Sequence, residues 1–499
     1  MDTHRGYAIR VDLFCYLREI VPALLLIFGL NSALTAQEIS PAPSPYDSAA
    51  VQGGGFVGGE ERTWRQDLPI SESAIAEPSD LESRLAEVEK ALKKIESKAK
   101  EDKKKAAEKP SVSVIGRAYL DTVAFGQNDQ SRAIYGDAKD TTFFRNARIG
   151  AQGNAFDVMA YKFEVDVAPR DSQDLSRVAF RDVYLQIKEL PLLQNVRIGH
   201  FKEPLSLEEL TSSRFITFME RSMSNAFIPA FNAGVATFGY TENERATWSI
   251  GAFASGQDTP PYVTEDSTLS GDGTAGTARV TWTPWFDEEY AGRRLLHVGL
   301  GYRYCYLFAD TQRVRARPET AVGPYVVDTR IGDVDTLTHV QNSQTLAPEI
   351  ALVLGPFSVQ AEYMMHTYTR DAGFTNPVFN GGYVFVSYFL TGESRAYNRK
   401  EGRFERIKPF ENFFRIRGED GYLCTGIGAW ELAYRYSWID LNDGGILGGI
   451  AADHSFGVNW YLTPYARLMF NYVHSMDSPN GARPDTFIDV LAMRAQFDF

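Results

Sequence analysis

Basic side chains recur along one face of short segments in this chain. Arg117, Arg148, Lys162, Arg197, Arg279, Arg303, Arg435, Arg467 and Arg494 each alternate with apolar neighbours that point the other way. Acids share the polar face, among them Glu164, Asp166, Asp182, Glu362 and Glu431. A second group, Lys202, Ser206, Arg214 and Arg221, falls inside the stretch GHFKEPLSLEELTSSRFITFMERSMSNAFIPAFNAG (Gly199–Gly234). Guanidinium and ammonium groups that converge in a partly desolvated space hold oxyanions by charge-assisted hydrogen bonds and disfavour cations. Such an array binds and selects; it makes and breaks no covalent bond. Two readings stay open: the basic residues set a positive field, or they pair with the acids beside them and stiffen a wall.

Residues arranged for catalysis are not found. The seven histidines show no HExxH spacing, and neither a GxSxG elbow nor a phosphate loop occurs. The expectation is therefore no catalytic residue, no metal and no cofactor. GDGTAG (Gly271–Gly276) reads as a turn between strands. A formal charge of −13, without a basic stripe, excludes a nucleic-acid binder.

The elements that must position the basic face are strands. After Pro110 the pattern has a period of two and keeps it to the end. In Leu296–Phe308 the apolar set is Leu296, Val298, Leu300, Tyr302, Tyr304 and Tyr306, facing away from Gly299, Gly301 and Arg303. Trp430–Trp438 sets Trp430, Leu432, Tyr434, Tyr436 and Trp438 against Glu431, Ala433, Arg435 and Ser437, and Ala466–Tyr472 alternates likewise. The final segment puts Leu491, Met493, Ala495 and Phe497 on one side, with Arg494, Gln496 and Asp498 on the other, and stops on Phe499. Aromatics make up 13% of the chain, enough for belts at two lipid interfaces. About 390 residues, at about 24 per strand and connection, make about 16 strands, a size that encloses water rather than a packed interior. The fold expected is all-β: a transmembrane antiparallel barrel of about 16 strands. The stretch Gly199–Gly234 is long enough to fold into its lumen and narrow it. An extracellular loop with its charges in solvent is the other reading.

Ahead of the barrel the organisation changes three times. Residues 1–36 read as a secretory signal: Arg5, Arg10 and Arg18 precede the apolar run Ile20–Leu30, which is too short to span a bilayer. Asp2, Asp12 and Glu19 leave the true start open. Residues 37–78 are a Pro/Gly/Ser-rich linker. In 79–109, Ser79 and Glu82 make a capping box before a seam of Leu81, Leu85, Val88, Leu92, Ile95 and Ala99 at heptad spacing. That is a short periplasmic coiled-coil helix, or a solvated helix without partners; residues 111–499 form the barrel. Cys305 and Cys424 either pair or remain free.

Four segments resemble one family. RNARIGAQG (Arg145–Gly153), IGHFKEPLSLEELTSSRFITFMERS (Ile198–Ser222), YFLTGESRAY (Tyr388–Tyr397) and GAWELAYRYS (Gly428–Ser437) look like the phosphate-selective porin O and P family, over about Val112 to Phe499. The resemblance implies a homotrimeric 16-stranded outer-membrane porin, constricted by an inward loop and lined by cations that guide phosphate or other small anions. It implies Lys202 and Arg214 as anion ligands, with Arg117 and Arg148 on early strands. Partners would be outer-membrane lipid, other copies of the chain and, through Phe499, the barrel-assembly machinery. The chain departs from the family pattern at Phe231, where a basic residue often precedes Asn; this weakens the case for phosphate selectivity. The rival readings are a general non-selective porin and a structural outer-membrane anchor.

Overall fold

The computed structural model describes residues 87, 89–98, 110–168, 178–255, 273–290, 292–332, 334–417, 423–478 and 486–499. Sixteen antiparallel strands close into one barrel. They are β1 (Ser113–Gln127), β2 (Thr141–Ala155), β3 (Met159–Asp166), β4 (Ala179–Leu190), β5 (Gln194–Lys202), β6 (Phe231–Tyr240), β7 (Ala246–Ser255) and β8 (Gly273–Phe286). The second half comprises β9 (Arg294–Leu307), β10 (Val340–Leu354), β11 (Phe357–Arg370), β12 (Val378–Phe389), β13 (Ala429–Asp443), β14 (Ile446–Thr463), β15 (Ala466–Ser478) and β16 (Thr486–Asp498). Closure comes from β16 pairing back on β1, from Arg117 opposite Asp498 to Gln127 opposite Ile488. A closed sheet leaves no edge, so every strand amide finds a partner without water. The period of two then sorts the side chains. On β9, Leu300, Tyr302, Tyr304 and Tyr306 are exposed on the outside, while His297, Arg303 and Cys305 are buried within. On β16, Leu491 and Phe497 face out and Arg494, Gln496 and Asp498 face in.

The two ends of the barrel differ. At one end most connections are short: residues 156–158, 191–193, 241–245, 287–293, 355–356 and 464–465. The other end carries residues 128–140, with the helix α1 (Asp129–Tyr135), and the long segments 203–230 and 308–339. Both long segments fold into the lumen, because they carry apolar side chains that need cover. Leu205, Met219, Met223 and Phe227 of the first and Val314 and Leu337 of the second pack on Met364, Phe379, Met469, Val473 and Val490 of the wall. The inner face of β10–β16 is thus partly apolar, where simple alternation of lipid and water faces predicts a polar one. Residues 390–428 break the short-turn rule at their end. Within them residues 397–404 turn inward as a hairpin that pairs Tyr397 with Phe404 and Asn398 with Arg403.

The barrel's last residue closes a seam. The backbone N–H of Gly116 donates to the Phe499 carbonyl at 3.1 Å, and the Phe499 N–H returns a bond at 3.0 Å. A Cβ on Gly116 would meet the Phe499 ring at 2.4 Å, so only glycine lets the aromatic lie over β1. Gly273–Gly276 belongs to β8, not to a turn. Cys305 is a buried free thiol. The signal at 1–36, the linker at 37–78 and the seam residues Leu81, Leu85, Val88 and Ala99 lie outside the described residues. Residues 89–98 are helical, and the seam residues Leu92 and Ile95 there are exposed.

Candidate functional site

Packing of the two inward loops against β10–β16 leaves open space beside them. A cavity of about 670 Å³ lies there, between segment 203–230 and the inner wall that begins at β1. Among the described residues fourteen Arg and Lys side chains line it against five Asp and Glu. Of the strand residues anticipated from alternation, Arg117, Arg148, Lys162, Arg197, Arg303 and Arg494 reach it; Lys202, Arg214 and Arg221 join them at the end of β5 and on the inward loop.

Their counter-ions mostly stand behind them. Glu164 bonds Arg117 at 2.8 Å and Lys162 at 2.9 Å; Asp166 holds Arg148 at 3.0 Å, Glu203 holds Arg303 at 2.9 Å and Asp121 holds Arg494 at 2.7 Å. These four carboxylates are buried and do not line the cavity. They offset part of the cost of burying the cations and fix how each guanidinium points. Two cations lack even that. Arg197 bonds the amide oxygen of Gln186 at 2.8 Å and stacks over Tyr184 at 4.2 Å. Among the described residues Arg214 has a long contact of 3.9 Å to Asp498, a 3.4 Å bond to the Ser212 hydroxyl and the Phe215 ring at 5.4 Å. Burial, and then the neighbouring Arg117, pull the Arg214 guanidinium below its ordinary value. It is a cation in a positive field, and an anion would relieve it.

Four of the anticipated residues do something else. Ser206 is fully buried: its hydroxyl caps the short helix α2 (Leu207–Leu210) by accepting from the Glu209 N–H at 3.2 Å, so no solute meets it. Arg279, Arg435 and Arg467 point inward as alternation requires, but the inward segments cover them. Arg279 bonds Glu349 at 3.0 Å and the Gly402 carbonyl at 2.8 Å. Arg435 bonds Glu208 at 3.0 Å, Glu319 at 3.1 Å and the Glu220 carbonyl at 3.0 Å. Arg467 donates to the Ile216 carbonyl at 2.9 Å. They fasten loops. Lys202 and Arg221 do reach the cavity, yet both are tied to Glu209, at 2.8 and 2.9 Å. Burial would raise the Glu209 carboxyl, but Arg221 and Lys202 outweigh it and hold the group below its usual range.

Arg145, Arg181, Arg313, Arg315 and Arg403 also line the cavity, and alternation alone does not find them. Arg145 sits on a β-bulge: Tyr119 pairs with Asn146 and Leu120 with Phe144, so Arg145 is the extra residue and turns inward against the parity of its strand. Arg181 lies in a second register shift, where Phe163 pairs with Val183 and Val165 with Phe180. Arg313 and Arg315 come from the inward loop, in a stretch that repeats Arg at every second position from Arg313 to Arg317. That local period of two is the one signal that points to them. Arg315 stacks on Tyr325 at 4.0 Å.

A closed barrel with a cation-lined lumen is the architecture of a diffusion channel, and the family comparison agrees. The model of the family "phosphate-selective porin O and P" matches residues 122–499. The chain belongs to that family. Porin O of Pseudomonas aeruginosa (strain PAO1) is 26% identical over 403 residues, covering 73% of this chain and 83% of that protein. An uncharacterised protein of Caulobacter vibrioides is 27% identical over 374 residues, 71% of this chain and 68% of that one. The solved anion-selective porin from Comamonas acidovorans aligns over 78% of this chain and all of its own, at 11% identity and a TM-score of 0.46. This member of the porin O and P family is an outer-membrane channel rather than an enzyme.

Proposed function

We propose that this porin passes small anions in preference to cations and retains phosphate or related oxyanions longest. The observation that carries the reading is the lining of the cavity, among the described residues fourteen basic side chains against five acidic ones, with Glu164, Asp166, Glu203 and Asp121 buried beneath the cations they pair with. Such a surface raises the local anion concentration, and its low-dielectric rim strengthens each contact. Arg214 and Arg197, cations without a close carboxylate, are the first ligands, with Arg117, Arg148 and Arg315 on either side. Lys202 contributes charge but shares it with Glu209.

The rest of the chain fits this role. Residues 1–36 direct secretion, 37–78 link, and 79–109 form a periplasmic helix whose exposed Leu92 and Ile95 meet two further copies in a homotrimer. The short-turn end faces the periplasm and the long loops face outward. Lipid covers the outward apolar band, and Phe499 is the residue offered to the assembly machinery.

Single-channel recording in a planar bilayer under a salt gradient tests the proposal, with inorganic phosphate titrated into chloride. The expected results are a reversal potential on the anion side and current blocked by phosphate. Arg214→Gln should raise the half-blocking concentration about tenfold, the worth of one charge-assisted bond. Cation preference without block would leave a general porin and sink the selectivity. Silence from well-folded barrels would favour an anchor.

A further inference from the structure

The inward loop places one carboxylate where a permeating oxyanion would sit. Glu220 accepts from Arg145 twice, Nε at 2.7 Å and Nη2 at 2.9 Å, and from Arg494 Nη2 at 2.8 Å. This is the fork-to-fork geometry by which arginine holds planar oxyanions. Glu220 differs from the buried acids Glu164, Asp166, Glu203 and Asp121. They are sealed at the base of strand cations, whereas Glu220 lines the cavity, and its side chain is 18% exposed against 2% or less for them. Its backbone is pinned, since the Glu220 carbonyl accepts from Arg435 at 3.0 Å, so the side chain alone is free to turn.

The two arginines are not equivalent. Arg494 is saturated without Glu220, because both its Nε and Nη2 bond Asp121 at 2.7 Å. Arg145 has no such reserve: among the described residues Glu220 is the only carboxylate in ion-pair contact with it. Arg145 also stands on the β-bulge, with 26% of its side chain exposed. Release of Glu220 therefore frees a forked cation facing the cavity. Burial would raise the Glu220 carboxyl, but Arg145 and Arg494 hold it at about 2, so it is ionised wherever the channel works.

We propose that Glu220 is a tethered substitute for the permeant: its carboxylate occupies the Arg145 fork between passages, yields it to an entering phosphate-like oxyanion, and returns as that anion leaves. This rests on the anion-preferring reading above. Conduction needs a site that binds but also lets go, and a buried cation left bare is costly. A carboxylate on a short tether removes that cost at the moment of release. Glu220 thus sets the affinity of the channel downward and its throughput upward.

The experiment is phosphate block of single-channel chloride current in the full-length protein, for wild type, Glu220→Gln and Arg145→Gln. All three are first checked for heat-modifiable barrels. Glu220→Gln should lower the half-blocking phosphate about tenfold and lengthen each block, while Arg145→Gln should raise it about tenfold. A simple loop fastening predicts shifts of the same sign in both, since either change breaks the same ion pair; that result, or no change in Glu220→Gln, overturns the proposal. Should Glu220→Gln not yield barrels, Glu220→Asp carries the test. Its shorter arm should tighten block about threefold, and unchanged or weaker block counts against the idea. The wild-type reversal potential reports separately on anion preference: a cation-side value ends that reading, whereas a failed order of variants in an anion-selective channel ends only this one.

Discussion

Arg197 and Arg214, and Arg279, Arg435 and Arg467, are the same residue type turned into the same lumen. The first pair leave donors toward an open cavity and have no close carboxylate. The other three spend their donors on carbonyls and carboxylates of the segments folded against them and on Glu349 and Gln496 of the wall. Inward placement decides only that a guanidinium leaves the lipid. What fills its five N–H groups decides whether it serves a solute or a loop. Neither group could exchange roles without moving segments 203–230 and 308–339.

The largest effect should come from breaking the fastening side. Arg435 is fully buried between Glu208 of the inward loop and Glu319 of segment 308–339. Arg435→Met leaves two buried carboxylates with less compensation, at a cost of about 3–5 kcal/mol. Thermal loss of heat-modifiable migration should move to clearly lower temperature, and current through surviving channels should become noisy as the loops work free. Arg214→Gln, on the open side, should shift that transition by less than about 1 kcal/mol. Equal losses from the two would erase the distinction.

The barrel was legible because lipid imposes it. Alternation at Leu296–Phe308, Trp430–Trp438 and 491–499 reports directly which side faces hydrocarbon, and no other force in the chain opposes that pattern. Length alone brought the strand count to about sixteen. The cavity was legible by half. Arg117, Arg148 and Arg494 follow from parity, but Arg145 and Arg181 need register shifts that depend on how two strands meet, which no single segment records. Covering is likewise a tertiary fact: Arg303 and Arg435 look alike in sequence, and only the seat of the loops separates them. Ser206 sits in a matching motif and still turns out to cap a helix, because a serine followed three residues later by an acid serves the backbone first.

A middling effect should follow from adding a cation to the open side. Phe231 lines the cavity, with Lys202 Nζ and the Arg181 guanidinium each 5.5 Å from its ring centre and His200 stacked at 6.0 Å. The aromatic face already offers those cations some compensation. Phe231→Lys replaces it with a third positive charge, which repels the two until an anion arrives. Half-blocking phosphate should fall about fivefold at low salt, and the gain should shrink as ionic strength rises. No change would mean that the field there is already saturated. Unpaired charge would then not be what distinguishes the two sides.

The smallest effect belongs to the short-turn end. There the hairpin that turns inward at 397–404 is tied by Arg399, whose Nη2 donates to Glu244 at 2.7 Å on the turn between β6 and β7. Inside the lumen the same hairpin is held by the Gly402 carbonyl accepting from Arg279 and by Arg403 donating to the Leu210 carbonyl at 3.0 Å. The outer tie is half-buried but lies at the rim, where water screens it, so Arg399→Ala should cost no more than about 1 kcal/mol. Its pH dependence has a definite sign. The hydrogen bond from Arg399 holds the Glu244 carboxyl below its usual value. The folded state therefore binds that proton less readily than the unfolded one, and the stabilisation is full above the ordinary carboxylate range and fades as pH falls through the lowered value. Current noise from the hairpin should be flat between neutral pH and about pH 5, then rise on further acidification. Glu244→Gln should show the raised noise at every pH. If Glu244→Gln instead stays as quiet as wild type, the buried contacts hold the hairpin alone, and the fastening side of the lumen needs no help from its rim.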